Sequence, residues 1–240
     1  MGKSGYSAVR YLRTLGSQVS VTDSRANPPQ MEELGKLGSD IMVRIGGFDA
    51  TLLADADLVV VSPGVALTGP FFDAARARGL PMVGDIELFA RAVQAPVVGI
   101  TGTNGKSTVT TLLAQMAQRS GLRIAAGGNL GSPALDLLSK DVQLYILELS
   151  SFQLETTKSL RLAAATVLNV TPDHLDRYPD LNAYAAAKAR IFSSCEVAVI
   201  NLDDPLVAAM PGLGQHTLSF SLSAEVGADF SLRQGEAGDW

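Results

Sequence analysis

The residues best suited to chemistry lie where Val97-Val98-Gly99-Ile100-Thr101 runs into Gly102-Thr103-Asn104-Gly105-Lys106-Ser107-Thr108. A β-branched run, a glycine-rich turn and a Gly-Lys-Ser-Thr opening to a helical pattern are the parts of a phosphate-binding loop. Backbone N–H groups and a helix N-terminus would face the anion, the Lys106 ammonium would add a point charge, and the Ser107 hydroxyl suits Mg2+. The widespread G-x-x-x-x-G-K-[ST] spacing needs glycine at position 100, which is Ile100 here, so Gly102 makes a shortened form of the loop. The other reading of these residues is an ordinary glycine-rich turn with a solvating lysine. Glu148 closes the apolar run Leu144-Tyr145-Ile146-Leu147. Carboxylates at the C-terminal ends of parallel strands gather in the ligand crevice of open α/β sheets, and a hard oxygen ligand suits Mg2+. A surface glutamate capping the next segment is the plainer alternative. Asp23 also ends a strand pattern, where an acid meets a ribose or a uracil edge, or merely solvates a turn. Taken by themselves, His174 in Asp173-His174-Leu175-Asp176 reads as a structural turn histidine, and Lys188 in Ala185-Ala186-Ala187-Lys188 as a solvated helix lysine.

These residues need a scaffold that brings distant segments together. Apolar β-branched runs at 18–23, 41–45, 58–62, 82–83, 97–101, 124–127, 144–149, 164–170 and 197–201 are predicted strands. Amphipathic stretches at 8–15, 31–37, 71–78, 107–119 and 183–192 lie between them and are predicted helices. Continuous apolar strands interleaved with helices indicate parallel sheets covered on both faces. The expected fold class is α/β, with two successive doubly wound parallel-sheet domains divided near residues 91–95: 1–92, then 93–240. In the first, Gly2-Lys3-Ser4-Gly5 ahead of a helix has the form of a dinucleotide-type βαβ turn; in the second, the pattern weakens after Ser219.

Thr-Gly-Thr-Asn-Gly-Lys-Ser-Thr at 101–108 resembles the loop of the Mur ligase family, which includes the folylpolyglutamate synthases. Three further segments resemble the branch of that family that adds D-glutamate to UDP-N-acetylmuramoyl-L-alanine. They are Gly84-Asp85-Ile86-Glu87-Leu88-Phe89, Leu147-Glu148-Leu149-Ser150-Ser151-Phe152-Gln153-Leu154-Glu155, and Leu168-Asn169-Val170-Thr171-Pro172-Asp173-His174-Leu175-Asp176-Arg177-Tyr178. The resemblance runs from Gly2 to Trp240. It implies a Rossmann-like UDP-binding domain, an ATPase domain with the phosphate loop, a strand preceding residue 2 and a third domain following. By resemblance, Gly102, Thr103, Asn104, Gly105, Lys106, Ser107 and Thr108 bind ATP, and Lys106, Glu148, His174 and Lys188 are catalytic. Gly2, Lys3, Ser4, Asp23, Ser24, Arg25, Ser62, Pro63, Gly64, Asn129 and His174 contact the UDP-linked substrate. Ser107, Glu148, His174 and a CO2-carbamylated Lys188 hold two Mg2+ ions, with Asp173 orienting the His174 ring. Carbamylation requires the neutral amine, which apolar surroundings favour by lowering a lysine pKa.

The reaction so implied is peptidoglycan precursor synthesis, ATP-dependent and through an acyl phosphate. The resemblance also implies that without the third domain D-glutamate lacks much of its site, so the chain by itself is expected to bind ATP and Mg2+ weakly, if at all, and not to form the amide. Three alternatives remain: a nucleotide-binding piece without turnover, another family ligase such as a folylpolyglutamate synthase, or an unrelated P-loop kinase. A chain of 240 residues, 47% hydrophobic, has enough apolar surface for a substantial core. Nineteen Lys and Arg against 24 Asp and Glu, net −5, with no basic run interleaved with aromatics, point away from nucleic acid. One cysteine, Cys195, excludes an internal disulfide and a cysteine-built zinc site. No apolar run approaches the length of a membrane span, and the opening residues lack the apolar core of a signal peptide. The chain is expected to be a cytoplasmic monomer with UDP-N-acetylmuramoyl-L-alanine, D-glutamate and ATP as its partners.

Overall fold

The computed structural model describes residues 1–210, 216–223 and 226–232, with backbone only at 234–235 and 238–239. Trp240, to which the resemblance extends, lies outside the described residues. The main sheet has seven parallel strands in the order β11-β10-β9-β8-β5-β7-β6. These are β5 (Val97–Thr101), β6 (Ile124–Gly128), β7 (Leu144–Glu148), β8 (Leu162–Val167), β9 (Cys195–Asn201), β10 (His216–Ser221) and β11 (Phe230–Ser231). The chain crosses from β5 to β6 on one side and reaches β8 on the other, so the strand order reverses at β5. In open α/β sheets such a switch point opens a crevice beyond the carboxyl ends of the strands, and the predicted phosphate loop leaves β5 there.

The first unit departs from the expected single sheet. Strands β1 (Ser20–Asp23) and β2 (Met42–Ile45) form one parallel pair, and β3 (Val59–Val60) and β4 (Met82–Val83) form another. No described ladder joins the pairs. Helix α1 (Lys3–Thr14) starts between their carboxyl ends: a Cβ on Gly5 would sit 2.8 Å from Ser62 Oγ, and the Met1 amino group ion-pairs with Asp23. Each pair closes over a small cluster of its own, Val9, Val21, Leu34 and Ile41 beneath β1 and β2, and Leu53, Val61, Phe71 and Phe72 beneath β3 and β4. Helices α2 (Met31–Gly35) and α3 (Pro70–Ala77) cover them, α3 opening with proline at its first turn, where the missing N–H costs nothing.

Helix α4 (Asp85–Ala92), not predicted as a helix, belongs to the largest core. Ile86 and Phe89 are buried in one cluster with Val97, Tyr145, Leu147 and Leu162, and the Phe89 and Tyr145 rings meet edge to face at 5.2 Å. Helix α5 (Lys106–Arg119) faces the sheet with Thr110, Ala114 and Ala117 at helical spacing. Two more short helices went unpredicted, α6 (Ser151–Glu155) and α8 (Pro205–Ala208), both too short for a periodic signal. The former is set by a capping box, in which Ser150 accepts from Gln153 N while Gln153 Oε1 accepts from Ser150 N. Helix α7 (Leu181–Ala189) starts at Asp180, which accepts from Ala183 N, and yields to a 3-10 turn over Arg190–Phe192. No described helix is long and apolar enough to cross a membrane.

Candidate active site

The turn out of β5 takes its shape from two glycines. Gly102 has φ +151°, and a Cβ there would lie 3.0 Å from Leu168 Cβ; Gly105 has φ +79° and caps α5 without a side-chain bond to the helix amides. Both conformations favour glycine. Asn169, at the end of β8, braces the turn: its carbonyl accepts from Thr103 N at 2.9 Å, its Oδ1 accepts from Asn104 N at 2.8 Å, and its Nδ2 donates to Asn104 O at 3.1 Å. Lys106 folds back so that Nζ donates to the carbonyls of Gly102 and Thr103 at 3.0 and 2.9 Å. The first-turn amides of a 14-residue helix, with its partial positive charge, face out of this turn.

Strand register carries Glu148 to the same edge. It pairs with Ile100 of β5 on one side and Gly128 of β6 on the other. Its carboxylate is 3% exposed; Oε2 accepts from Ser107 Oγ at 2.7 Å and Oε1 from Asn129 Nδ2 at 2.8 Å. Gly128 lets the backbones close here, since a Cβ on it would lie 2.5 Å from Glu148 O, which accepts from Asn129 N at 2.8 Å. Ser107, Glu148 and Asn129, expected on three separate segments, are thus one connected group. Ser107 and Glu148 are hard oxygen donors of the kind Mg2+ takes together with phosphate and water. Among the described residues no group of three or more His, Cys, Asp or Glu gathers as an all-protein metal cage.

Lys188 is not the solvated helix lysine that its surroundings in sequence suggest. It is 1% exposed, donates to Gly102 O at 2.8 Å, and lies 4.3 Å from the centre of the Tyr184 ring. Burial, reinforced by the nearby Lys106 charge and only partly opposed by Asp173, lowers its pKa to about 7. Two lysine ammonium groups therefore converge on one carbonyl at the phosphate loop. Tyr184, four residues before Lys188 on α7, was missed in sequence; that spacing places the two on one helix face. Its ring also meets His174 at 6.0 Å, and Phe152 lies on the other side of the imidazole at 4.9 Å. His174 has φ +53° and is half-exposed, with Nε2 at 3.5 Å from Asp173 Oδ2. His174 reaches the loop through Tyr184, Lys188 through Gly102, and Glu148 through Ser107.

A second cluster gathers the residues expected at the UDP-linked substrate. Asp23, buried at the end of β1, accepts from Arg25 N, Nε and Nη2 at 2.9, 2.9 and 2.8 Å. The turn containing Gly2, Lys3 and Ser4 opens α1, and Gly5 abuts Ser62, which is followed by Pro63 and by Gly64 at φ +84°. Ser24 lies in the bend between Asp23 and Arg25. Asn129 belongs to the other cluster, on Glu148.

Comparison with known proteins places the chain in a family. The family description "Mur ligase middle domain" matches residues 100–238, and "Mur ligase MurD-like, N-terminal domain" matches residues 1–84. The chain is 54% identical over 241 residues to the UDP-N-acetylmuramoylalanine--D-glutamate ligase of Nitrosococcus oceani, covering 100% of this chain and 53% of that protein. To the ligase of the same name in Marinobacter nauticus it is 48% identical over 240 residues, covering 100% of this chain and 54% of that one. The chain spans about half the length of the curated relatives it matches. Among solved structures, the UDP-N-acetylmuramate:L-alanyl-gamma-D-glutamyl-meso-diaminopimelate ligase from Neisseria meningitides shares the fold, with a TM-score of 0.64 and 19% identity over 99% of this chain and 80% of that one. The UDP-N-acetylmuramate-alanine ligase from Thermotoga maritima does so with a TM-score of 0.55 and 20% identity, over 97% of this chain and 52% of that one. With a middle-domain match that begins at the strand feeding the phosphate loop and runs beyond β9, this chain belongs to the Mur ligase family.

Proposed function

We propose that this chain is the nucleotide-binding part of a ligase that joins D-glutamate to UDP-N-acetylmuramoyl-L-alanine at the expense of ATP. The observation that carries the reading is the buried Glu148 carboxylate, bonded on one side to Ser107 of the phosphate loop and on the other to Asn129. Residues 1–92 form the UDP-substrate domain and 93–240 the ATP domain. Amide formation from a carboxylate is uphill at neutral pH, so the carboxylate must be activated. The substrate carboxylate oxygen attacks the γ-phosphorus of ATP, the bond to the bridging oxygen breaks, and ADP leaves. The D-glutamate amine then attacks the acyl carbon, phosphate leaves with the bonding electrons, and the amine proton passes to solvent or a nearby base. Such transfer needs positioning and charge neutralisation rather than covalent help.

Gly102, Thr103, Asn104, Gly105 and Thr108 shape the phosphate cradle, while Lys106 and the α5 amides neutralise its charge. Ser107 and Glu148 hold Mg2+, which when bound would offset phosphate charge. Asn129 and His174 face the reacting acyl group. Residues 2–4, 23–25 and 62–64 hold the UDP end. The lowered pKa of Lys188 leaves a substantial neutral fraction at physiological pH, the form that adds CO2 to give an anionic oxygen ligand for a second Mg2+. The test is ATP-dependent amide formation followed by mass spectrometry, with this chain by itself and joined to the remaining half of the Nitrosococcus oceani relative. Product from the joined protein supports the reading. Tight binding of ATP and Mg2+ without product from a folded joined protein would overturn it in favour of a nucleotide-binding role.

A further inference from the structure

Asp85 opens α4 at the meeting point of the two clusters, and nothing in the proposed chemistry uses it. It is 1% exposed. Its Oδ1 has no hydrogen-bond partner, and the side-chain bond that Oδ2 accepts from Gln153 Nε2 is long, at 3.5 Å, with the Ile86 and Asp85 backbone N–H groups also turned toward the carboxyl. The Ser4 hydroxyl faces the same carboxyl. A buried, half-satisfied carboxyl is costly, because its unmet oxygen has given up water without gaining a donor. Glu87, two residues along the same helix, shows what a purely structural carboxylate looks like here: it accepts from Lys158 N, Ser159 N, Ser159 Oγ and Arg91 Nε at 2.7 to 3.0 Å.

The neighbours of Asp85 explain why its position matters. On one side Ser4 belongs to the turn against Ser62, in the proposed UDP pocket. On the other, Gln153 Oε1 accepts from Ser150 N and Ser150 Oγ at 3.0 and 3.2 Å, and Ser150 follows Glu148 by two residues. The frame between them is tight, since a Cβ on Gly84 would fall 2.2 Å from Thr156 Oγ1 at the end of α6. We propose that Asp85 is a positioning residue that couples the two nucleotide sites, holding the Ser4 turn against the Gln153–Ser150 cap so that occupancy of one site favours occupancy of the other. The proposal rests on the functional reading above.

The coupling is measured by titration calorimetry with UDP and with ADP plus Mg2+, each alone and in the presence of the other at saturation. The wild-type chain should bind each nucleotide about tenfold more tightly with the other present, and linkage requires the two factors to be equal. Asp85→Asn keeps the shape but places an amide donor where the Gln153 amide donates and the Ser4 hydroxyl faces in. It should bring both factors to about one while leaving each single affinity within about threefold. Gln153→Met cuts the link from the far side and should do the same, which guards against misfolding of the first variant. Unchanged coupling in both folded variants, or equal affinities with and without the second nucleotide in the wild type, overturns the proposal. Where either nucleotide fails to bind the wild-type chain, the same titrations are made with the protein joined to the remaining half of the Nitrosococcus oceani relative, and failure to bind there overturns the functional reading itself, and the coupling with it.

Discussion

At the residue scale, the site is built from side chains that are cheap to place only because partners meet them. Glu148 is stable in its buried position through Ser107 and Asn129, and Glu148→Gln retains the shape while removing the charge. We expect that variant to fold normally and to lose roughly 10- to 100-fold in Mg2+ affinity, by analogy with disturbed metal sites; a Mg2+ titration in the presence of ADP checks it. Lys188 supplies a pH signature. Its folded-state pKa, about 7, lies below the ordinary lysine value of 10.5, so the unfolded chain binds more protons between these limits. Stability contributed by this group therefore rises as pH rises from about 7 towards 10.5, and the burial penalty is fully felt below 7. Urea unfolding across that range should show the rise in wild type, and a shallower slope in Lys188→Met. Equal slopes would mean that Lys188 is solvated after all.

At the element scale, the short helix α6 and the start of α4 are locked by close approach rather than by propensity. Gly84→Ala puts a methyl group within 2.2 Å of Thr156 Oγ1, and overpacking of this kind costs about 1–3 kcal/mol. Thermal unfolding should register that loss, and Thr156→Ala should recover part of it in the double variant, since the Oγ1 contact is then gone. Additive losses in the two would deny the contact. Ser150→Ala removes the capping bond to Gln153 N and should cost about 1 kcal/mol. The predicted strands held at the level of existence, with moved bounds: residues 58–62 reduce to Val59–Val60, 164–170 shift to Leu162–Val167, and 197–201 lengthen to Cys195–Asn201. Apolar runs extend past the ladder because flanking residues such as Val61 and Val170 are buried, and Val61 N and Leu168 N still donate to the neighbouring segments, at Val83 O and Thr101 O.

At the scale of the whole molecule, stability is uneven. Strands β5, β7, β8 and β9 share one large cluster with α1 and α4, whereas each strand pair of the first unit rests on a cluster of five buried residues. Two-stranded pairs with small cores open locally at low free energy. Hydrogen exchange should therefore release the amides of β1 to β4 well before those of β5, β7 and β8, with α4 protected alongside the main sheet. Protection of β1 and β3 equal to that of β5 would show that the two pairs act as one sheet in solution.

The amino-acid sequence by itself determined what is local. Gly102 and Gly105 around a β-branched strand and Lys106-Ser107 set the phosphate loop, because backbone conformation and helix initiation depend on near neighbours. Alternating strand and helix patterns set the parallel sheet, and the apolar run before Glu148 placed a carboxylate at a strand end. Tertiary structure alone decided what depends on packing across the chain. It buried Lys188, whose flanking alanines look the same in a solvated helix, and brought its ammonium beside that of Lys106, 82 residues away by their numbering. It set Asn169 under the loop and Tyr184 between lysine and histidine. It also divided the first unit into two pairs and left Asp85 half-satisfied between the Ser4 turn and Gln153. Burial, and the desolvation that shifts a proton affinity, is a property of what surrounds a residue in space, and neighbours distant in sequence supply it.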